Sequence, residues 1–167
     1  MELSTGTILA NVSSGREDYF DEAIVLVVAH DRKGTVGVVL NRPFGRMLTD
    51  LETFRSAPTM ALLEGGPMQQ DHLYFLHCTT ESLGGDVVHA EIRFGGDFEK
   101  ALSLIRENKI PKHSVKIFVG YCGWDAGQLE AEMENGGWKT VDTATAEIFY
   151  GNETFLLRTW TDNGRKS

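Results

Sequence analysis

The sequence predicts an α+β fold: a single domain over residues 1–167 with a mixed or antiparallel sheet of several short strands packed with a few helices. Three observations lead there. Short runs rich in Val, Ile, Leu and aromatic residues recur along the chain, each closed by glycine, proline or a polar cluster. The stretches 98–108 and 125–135 carry helical spacing behind a capping residue. No repeat, low-complexity tract or linker breaks the 167 residues, a length that supports one sizeable core.

The elements follow in order. Residues 5–12, TGTILANV, read as a short strand, and Ser13-Ser14-Gly15 as a turn. Residues 23–30, AIVLVVAH, are too short for a buried helix and rich in Val, which predicts a central strand covered on both faces. Asp31-Arg32-Lys33-Gly34 is a hairpin loop, and residues 35–41, TVGVVLN, are the returning strand. Gly37 within it marks a bulge or a close backbone approach. Asn41-Arg42-Pro43 ends that strand, because proline removes a ladder donor. A short helix starts at Leu48-Thr49-Asp50-Leu51 and ends before Pro58, and MALLE, residues 60–64, is the next strand. Gly65-Gly66-Pro67 forms a tight loop, followed by Met68-Gln69-Gln70-Asp71, before LYFLHC, residues 73–78.

In that strand His77 shares a face with Leu73 and Phe75, while Tyr74, Leu76 and Cys78 share the other. Residues 86–94, DVVHAEIRF, alternate as one half-exposed strand, with His89, Glu91 and Arg93 on the wetter face. Asp97 caps the clearest helix, FEKALSLIREN, whose apolar stripe is Phe98, Ala101, Leu102 and Ile105. A strand before this helix and another after it imply a crossover. Trp138–Val141 predicts a short strand, residues 143–150 have helical spacing, and residues 155–160 are apolar.

The stretch at 115–133, VKIFVGYCGWDAGQLEAEM, carries most of the candidate chemistry. Its alternation predicts a buried strand; Gly120 and Gly123 predict a sharp turn; Asp125 with Gln128 predicts a capped helix ended by Asn135-Gly136-Gly137. A strand entering a helix through glycines makes a concave spot that suits an anion or oxyanion. Cys122 sits in that turn, as a nucleophile elbow would place it, but Trp124 stands where the last glycine of such an elbow belongs. Asp125 beside the thiol disfavours a thiolate, so a packing role for Cys122 stands against a nucleophilic one.

Segments spread over most of the chain resemble one family. Gly120 through Glu130 match a G-Y-x-G-W-x-x-G-Q-L-E segment, and Ala29-His30, Gly37–Pro43, Gly65-Gly66-Pro67 and Leu76-His77 match further segments in order. On these the chain resembles the YqgE/AlgH family (UPF0301, DUF179), bacterial proteins some of which carry the name of transcriptional regulators. The resemblance implies a fold more than a mechanism. One departure is Asp125, which takes a place the family often gives to a small residue.

Composition narrows function. A net charge of −8 opposes direct nucleic-acid binding, and Lys and Arg form no patch beyond Gly164-Arg165-Lys166. The N-terminal MELSTGTILANV has no basic start, no apolar run reaches membrane-spanning length, and two cysteines fit no zinc spacing. The expectation is a cytoplasmic protein with reduced thiols, no metal, no cofactor and no membrane partner. The expected function is a binding or regulatory domain for a small anionic ligand or a protein partner. Its candidate ligand-binding residues are Asn41, Arg42, Gly65, Gly66, His77, Gly120, Cys122, Trp124 and Gln128, gathered beside one groove. Each has a plainer reading beside it: strand-end turns for Asn41-Arg42 and Gly65-Gly66, core packing for His77 and Trp124. A thiol-dependent enzyme, with Cys122 as nucleophile and His77 or His89 as base, is the alternative, and a transcriptional regulator the third.

Overall fold

The computed structural model describes residues 3–12, 19–89, 91–142 and 148. The expectations for residues 13–15 and 155–160, and for 143–150 apart from Ile148, lie outside the described residues.

Ten strands form one sheet in which the main path runs β10-β1-β2-β3-β9-β6-β8-β7, and β4 and β5 attach beside β9. The strands are β1 Ile8–Asn11, β2 Ile24–Asp31, β3 Gly34–Val39, β4 Pro43–Met47, β5 Ala61–Glu64, β6 Met68–His77, β7 Asp86–His89, β8 Ile92–Phe94, β9 Val115–Asp125 and β10 Trp138–Thr140. Among the described residues these strands are joined by the α-helices α1 Phe98–Arg106 and α2 Gln128–Glu134. Pairing is antiparallel except between β5 and β9. The fold is therefore α+β. Because β6 runs antiparallel to both β8 and β9, those two run the same way, and α1 is the crossover between them.

Alternation along the strands divides the core into three clusters. Inward residues such as Ile8, Leu26, Val38, Leu76, Val88 and Phe118 meet inside the curled sheet. Leu102 and Ile105 of α1 cover the outer face of β5, β6 and β9 at Leu62, Phe75, Ile117 and Val119. Leu129 of α2, with Trp124 and Trp138, covers the outer face of β1, β2 and β3 at Leu9, Val25, Val27 and Val39. β2 thus has both faces buried from Ile24 to Val28, as its unbroken apolar run requires. The curl brings β7 round to the start of β1, where the His89 Nδ1–H donates to the Gly6 carbonyl at 3.1 Å.

Three expectations need correction. Residues 115–125 are one unbroken strand, so Cys122 sits in β9 and not in an elbow. The alternation slips at Gly120: Ile117 and Val119 face α1, whereas Cys122 and Trp124 face α2. Gly120 has φ 74°, and this one-residue slip lets a single strand serve both outer clusters. Asp125 ends β9, and Gly127 occupies the N-cap of α2. The Gln128 Oε1 still accepts the Asp125 N–H at 2.9 Å, which is half of the expected capping box.

Second, residues 86–94 are two strands, β7 and β8, paired to each other with His89 opposite Ile92. Val88 and Ile92 both point inward, so the hairpin preserves the alternation that suggested one strand. Third, Met68-Gln69-Gln70-Asp71 belongs to β6, and residues 43–47 form β4, whose exposed edge carries little apolar signal. The short helix after Met47 is two 3₁₀ turns, Leu48–Asp50 and Glu52–Phe54. The Asp97 cap, the close approach at Gly37 and the Trp138 strand stand where the sequence puts them.

Candidate functional site

Most of the expected site residues meet, but they meet to hold the chain together. Gly65 and Gly66 carry the chain from β5 to β6 across β9 at Gly120–Cys122. A Cβ on Gly65 would lie 2.4 Å from the Gly120 carbonyl oxygen, and one on Gly66 would lie 2.1 Å from the Tyr121 carbonyl oxygen. The amide of Gly65 is already committed, donating to the Val119 carbonyl at 2.8 Å. Its carbonyl accepts from the Val39 N–H at 2.9 Å and from the Cys122 thiol at 3.3 Å.

Asn41 ties the segment before β2: its Oδ1 accepts from the Ile24 N–H and its Nδ2–H donates to the Glu22 carbonyl, both at 2.9 Å. The Arg42 guanidinium lies 4.7 Å above the Tyr19 ring, reaches the Asp21 carbonyl at 3.3 Å, and stands 3.9 Å from Glu64. The Tyr19 hydroxyl donates to Glu64 at 2.5 Å. Burial and that bond to a carboxylate push the Tyr19 phenol well above its ordinary value. The result is a latch that seats residues 19–23 on the strand ends and stacks Phe20 against Trp124, 5.6 Å between ring centroids.

Cys122 is fully buried, and burial pushes its thiol up to about 12, against a smaller lowering effect of Arg42. His77 lies far away. It pairs with Val115, seven residues along β9 from Cys122, or about 23 Å at strand rise. Its Nε2–H donates to the Gly95 carbonyl at 2.9 Å, and burial lowers its pKa. His89 is held by Gly6 at the β7 seam. Both cysteines are free thiols. Trp124 packs in the α2 cluster with Trp138.

A hollow lies beside these groups, at the far end of β9. It is a groove of about 360 Å³ between the β2–β3 hairpin and residues 121–125, open to solvent. Register explains its shape. Asp31, Gly34 and Asp125 lie in one row across β2, β3 and β9, and Ala29, Val36 and Gly123 in the next. Paired residues share a face, so Ala29 and Gly123 in the inner row leave a depression, whereas at Gly34 the place of a Cβ is filled by the Trp124 carbonyl. Tyr121 and Met68, themselves paired, wall its inner end, and Met68 is 47% exposed. His30 Nδ1 meets Thr35 Oγ1 at 2.7 Å, and His30 Nε2 stands 3.9 Å from Glu130, which docks α2 on the hairpin. The sequence did not single out Asp31, Gly34, Met68 or Gly123 as a site, because only cross-strand register brings them together. Among the described residues no group of three or more His, Cys, Asp or Glu side chains is arranged to hold a metal ion, and no helix is long and apolar enough to cross a membrane.

The fold and groove define a curled, mostly antiparallel α+β domain with an open cleft beside the β2–β3 hairpin. The family model described as AlgH-like (DUF179) matches residues 8–163, and the chain belongs to that family. Among curated relatives, a UPF0301 protein of Chlorobaculum tepidum is 32% identical over 148 residues, covering 88% of this chain and 79% of the relative. One from Chlorobium luteolum is 31% identical over 150 residues, covering 89% and 79%. The solution structure of the AlgH protein from Pseudomonas aeruginosa superposes with a TM-score of 0.76 at 26% identity, covering 98% of this chain and 92% of that one. A crystal structure from Corynebacterium diphtheriae shares the fold, with a TM-score of 0.76 at 20% identity over 100% of this chain and 88% of that one.

Proposed function

We propose that this chain is a noncatalytic binding or regulatory module, and that its binding surface is the groove between the β2–β3 hairpin and the end of β9. The observation that carries this reading is convergence. Ala29-His30 and Gly120–Glu130, two of the segments on which the family resemblance rests, lie far apart in sequence and supply β2 and β9, the strands on either side of β3 in the same hollow. Support also comes from the fate of the reactive groups. The one cysteine in the signature segment is buried and protonated, with no imidazole beside it, so the hollow offers shape and not a nucleophile. The groove replaces Asn41, Arg42, Gly65, Gly66 and Cys122 as the contact surface, since their polar atoms serve the latch and the β5–β6 crossing. Of the expected residues Trp124 alone lines it.

A thermal-shift screen with a mixed library of small molecules and peptides tests the proposal on the wild type, Gly123→Leu and Arg42→Ala. Only side chains border Gly123, with Tyr121 Cε2 3.5 Å and Met68 Cγ 4.0 Å from where a Cβ would sit, so leucine fills the groove without displacing backbone. A ligand at a hundred times its Kd stabilises by about 2.7 kcal/mol. Hits should lose that gain in Gly123→Leu and keep it in Arg42→Ala. Hits that stabilise Gly123→Leu as well as the wild type would remove the groove as the site.

A further inference from the structure

We infer that the occupant of the groove is the side chain of an exposed lysine or arginine on a partner protein. This rests on the groove being the binding surface. The rim row is Asp31–Gly34–Asp125, and both of its carboxylate residues line the groove. Two interstrand spacings separate their backbones by about 10 Å, which leaves room for one ammonium or guanidinium between the carboxylates. Asp31 uses one oxygen on the Lys33 N–H at 2.8 Å, and the other remains open to a cation. The Asp125 carboxylate has no ion pair among the described residues.

The floor suits an apolar stem. Val36 and Gly123 lie one row inward, about 7 Å from the rim at strand rise, close to the reach of a lysine or arginine stem. Beyond them Met68 and Tyr121 offer a thioether and a ring face. Among the described residues Lys33 is the one cation lining the groove, against Asp31 and Asp125, which leaves them a formal lining charge of −1. It sits in the two-residue turn on a long stem that reaches solvent, whereas the carboxylates are fixed by strand register. Arg32, in the same turn, is exposed and does not line the groove. His30 also belongs to the lining, with its ring nitrogens turned to Thr35 and Glu130. The net charge of −8 steers cations toward the molecule and anions away. An open groove with an exposed methionine wall favours a side chain carried on a polypeptide over a free amine, because neighbouring residues of the partner cover the rest of the apolar surface.

The test uses three probes against the full chain, read by backbone amide shifts: end-blocked Leu-Lys-Leu-Lys, end-blocked Leu-Glu-Leu-Glu, and butylammonium chloride. The lysine peptide should shift amides at 29–36 and 121–125 saturably, and lose affinity as sodium chloride rises from about 50 to 500 mM. Asp31→Asn with Asp125→Asn should weaken it roughly tenfold, since a charge-assisted contact at each carboxylate is lost. Lys33→Glu should tighten it, which keeps the inference testable if the double variant folds poorly. Equal binding of the glutamate peptide, or no response to either charge variant, overturns the cation assignment and leaves the groove itself standing. Butylammonium binding as tightly as the peptide overturns the partner. No saturable shift from any probe overturns the inference, and the Gly123→Leu screen then decides separately whether the groove binds anything.

Discussion

Single side chains decide whether this surface can react. A thiol with a pKa of about 12 is ionised to roughly one part in a hundred thousand at pH 7, about a thousandfold less than an ordinary cysteine. We expect iodoacetamide at neutral pH to leave Cys122 unmodified in the folded protein and to label it once the chain is unfolded, as peptide mass mapping would record. Rapid labelling of Cys122 in the native state would restore the thiol-enzyme reading. His77 makes a second residue-level prediction. Burial lowers its pKa in the fold, so the unfolded chain takes up the proton more readily. The stability it contributes is present above its unfolded value, about 6.5, and is lost as pH falls below that. His77→Phe should flatten the decline in urea midpoint between neutral and mildly acidic pH. It also leaves the Gly95 carbonyl without its donor, at a cost of about 1 kcal/mol at every pH.

At the scale of elements, β9 shows what the chain discloses and what it hides. Its alternation, its capped neighbour α1 and the apolar run of β2 are local signals, and each stands in the structure where the residues put it. Gly120 and Gly123 look alike in sequence, and both suggest a turn. In the structure one is a slip in a continuous strand and the other an open floor tile. The difference lies in what crosses them: Gly66 and Met68 carbonyls pack on Gly120, whereas Gly123 meets only the side chains of Tyr121 and Met68 at ordinary contact distance. The strand therefore predicts opposite responses to the same change. Gly120→Ala forces a Cβ to 2.5 Å from the Gly66 oxygen at φ 74°, and should cost at least about 2 kcal/mol. Gly123→Ala should cost less than about 1 kcal/mol, because its Cβ meets only ordinary contacts. Denaturant midpoints of the two variants measure this directly. The candidate site was half legible for the same reason. Local residue types pointed to Asn41-Arg42, Gly65-Gly66 and Gly120–Cys122, which do converge, but into a latch and a crossing. The groove depends on which residues face each other across β2, β3 and β9, and no local pattern encodes that.

Across the whole molecule, the inner cluster is enclosed only because the sheet curls until β7 reaches the start of β1. The main path ends at β7, and among the described residues no ladder joins β7 to β1. What closes the seam is a close approach at Gly6, whose φ is 96° and where a Cβ would stand 2.2 Å from the Val88 carbonyl oxygen. The Gly6 N–H donates to Val27 at 2.8 Å, and its carbonyl receives the His89 Nδ1–H. One residue thus touches β2 on one side and β7 on the other. Gly6→Ala should open this seam before any other part of the sheet yields. In hydrogen exchange we expect the amides of β1, β7 and β8 to lose protection together. Those of β6 and β9, which share a long ladder and lie against α1, should keep theirs. Uniform loss across all strands would show the curl to be one cooperative unit with no weak side. Loss confined to β1 would show that β7 is held by Val88 and Ile92 in the core and not by the seam.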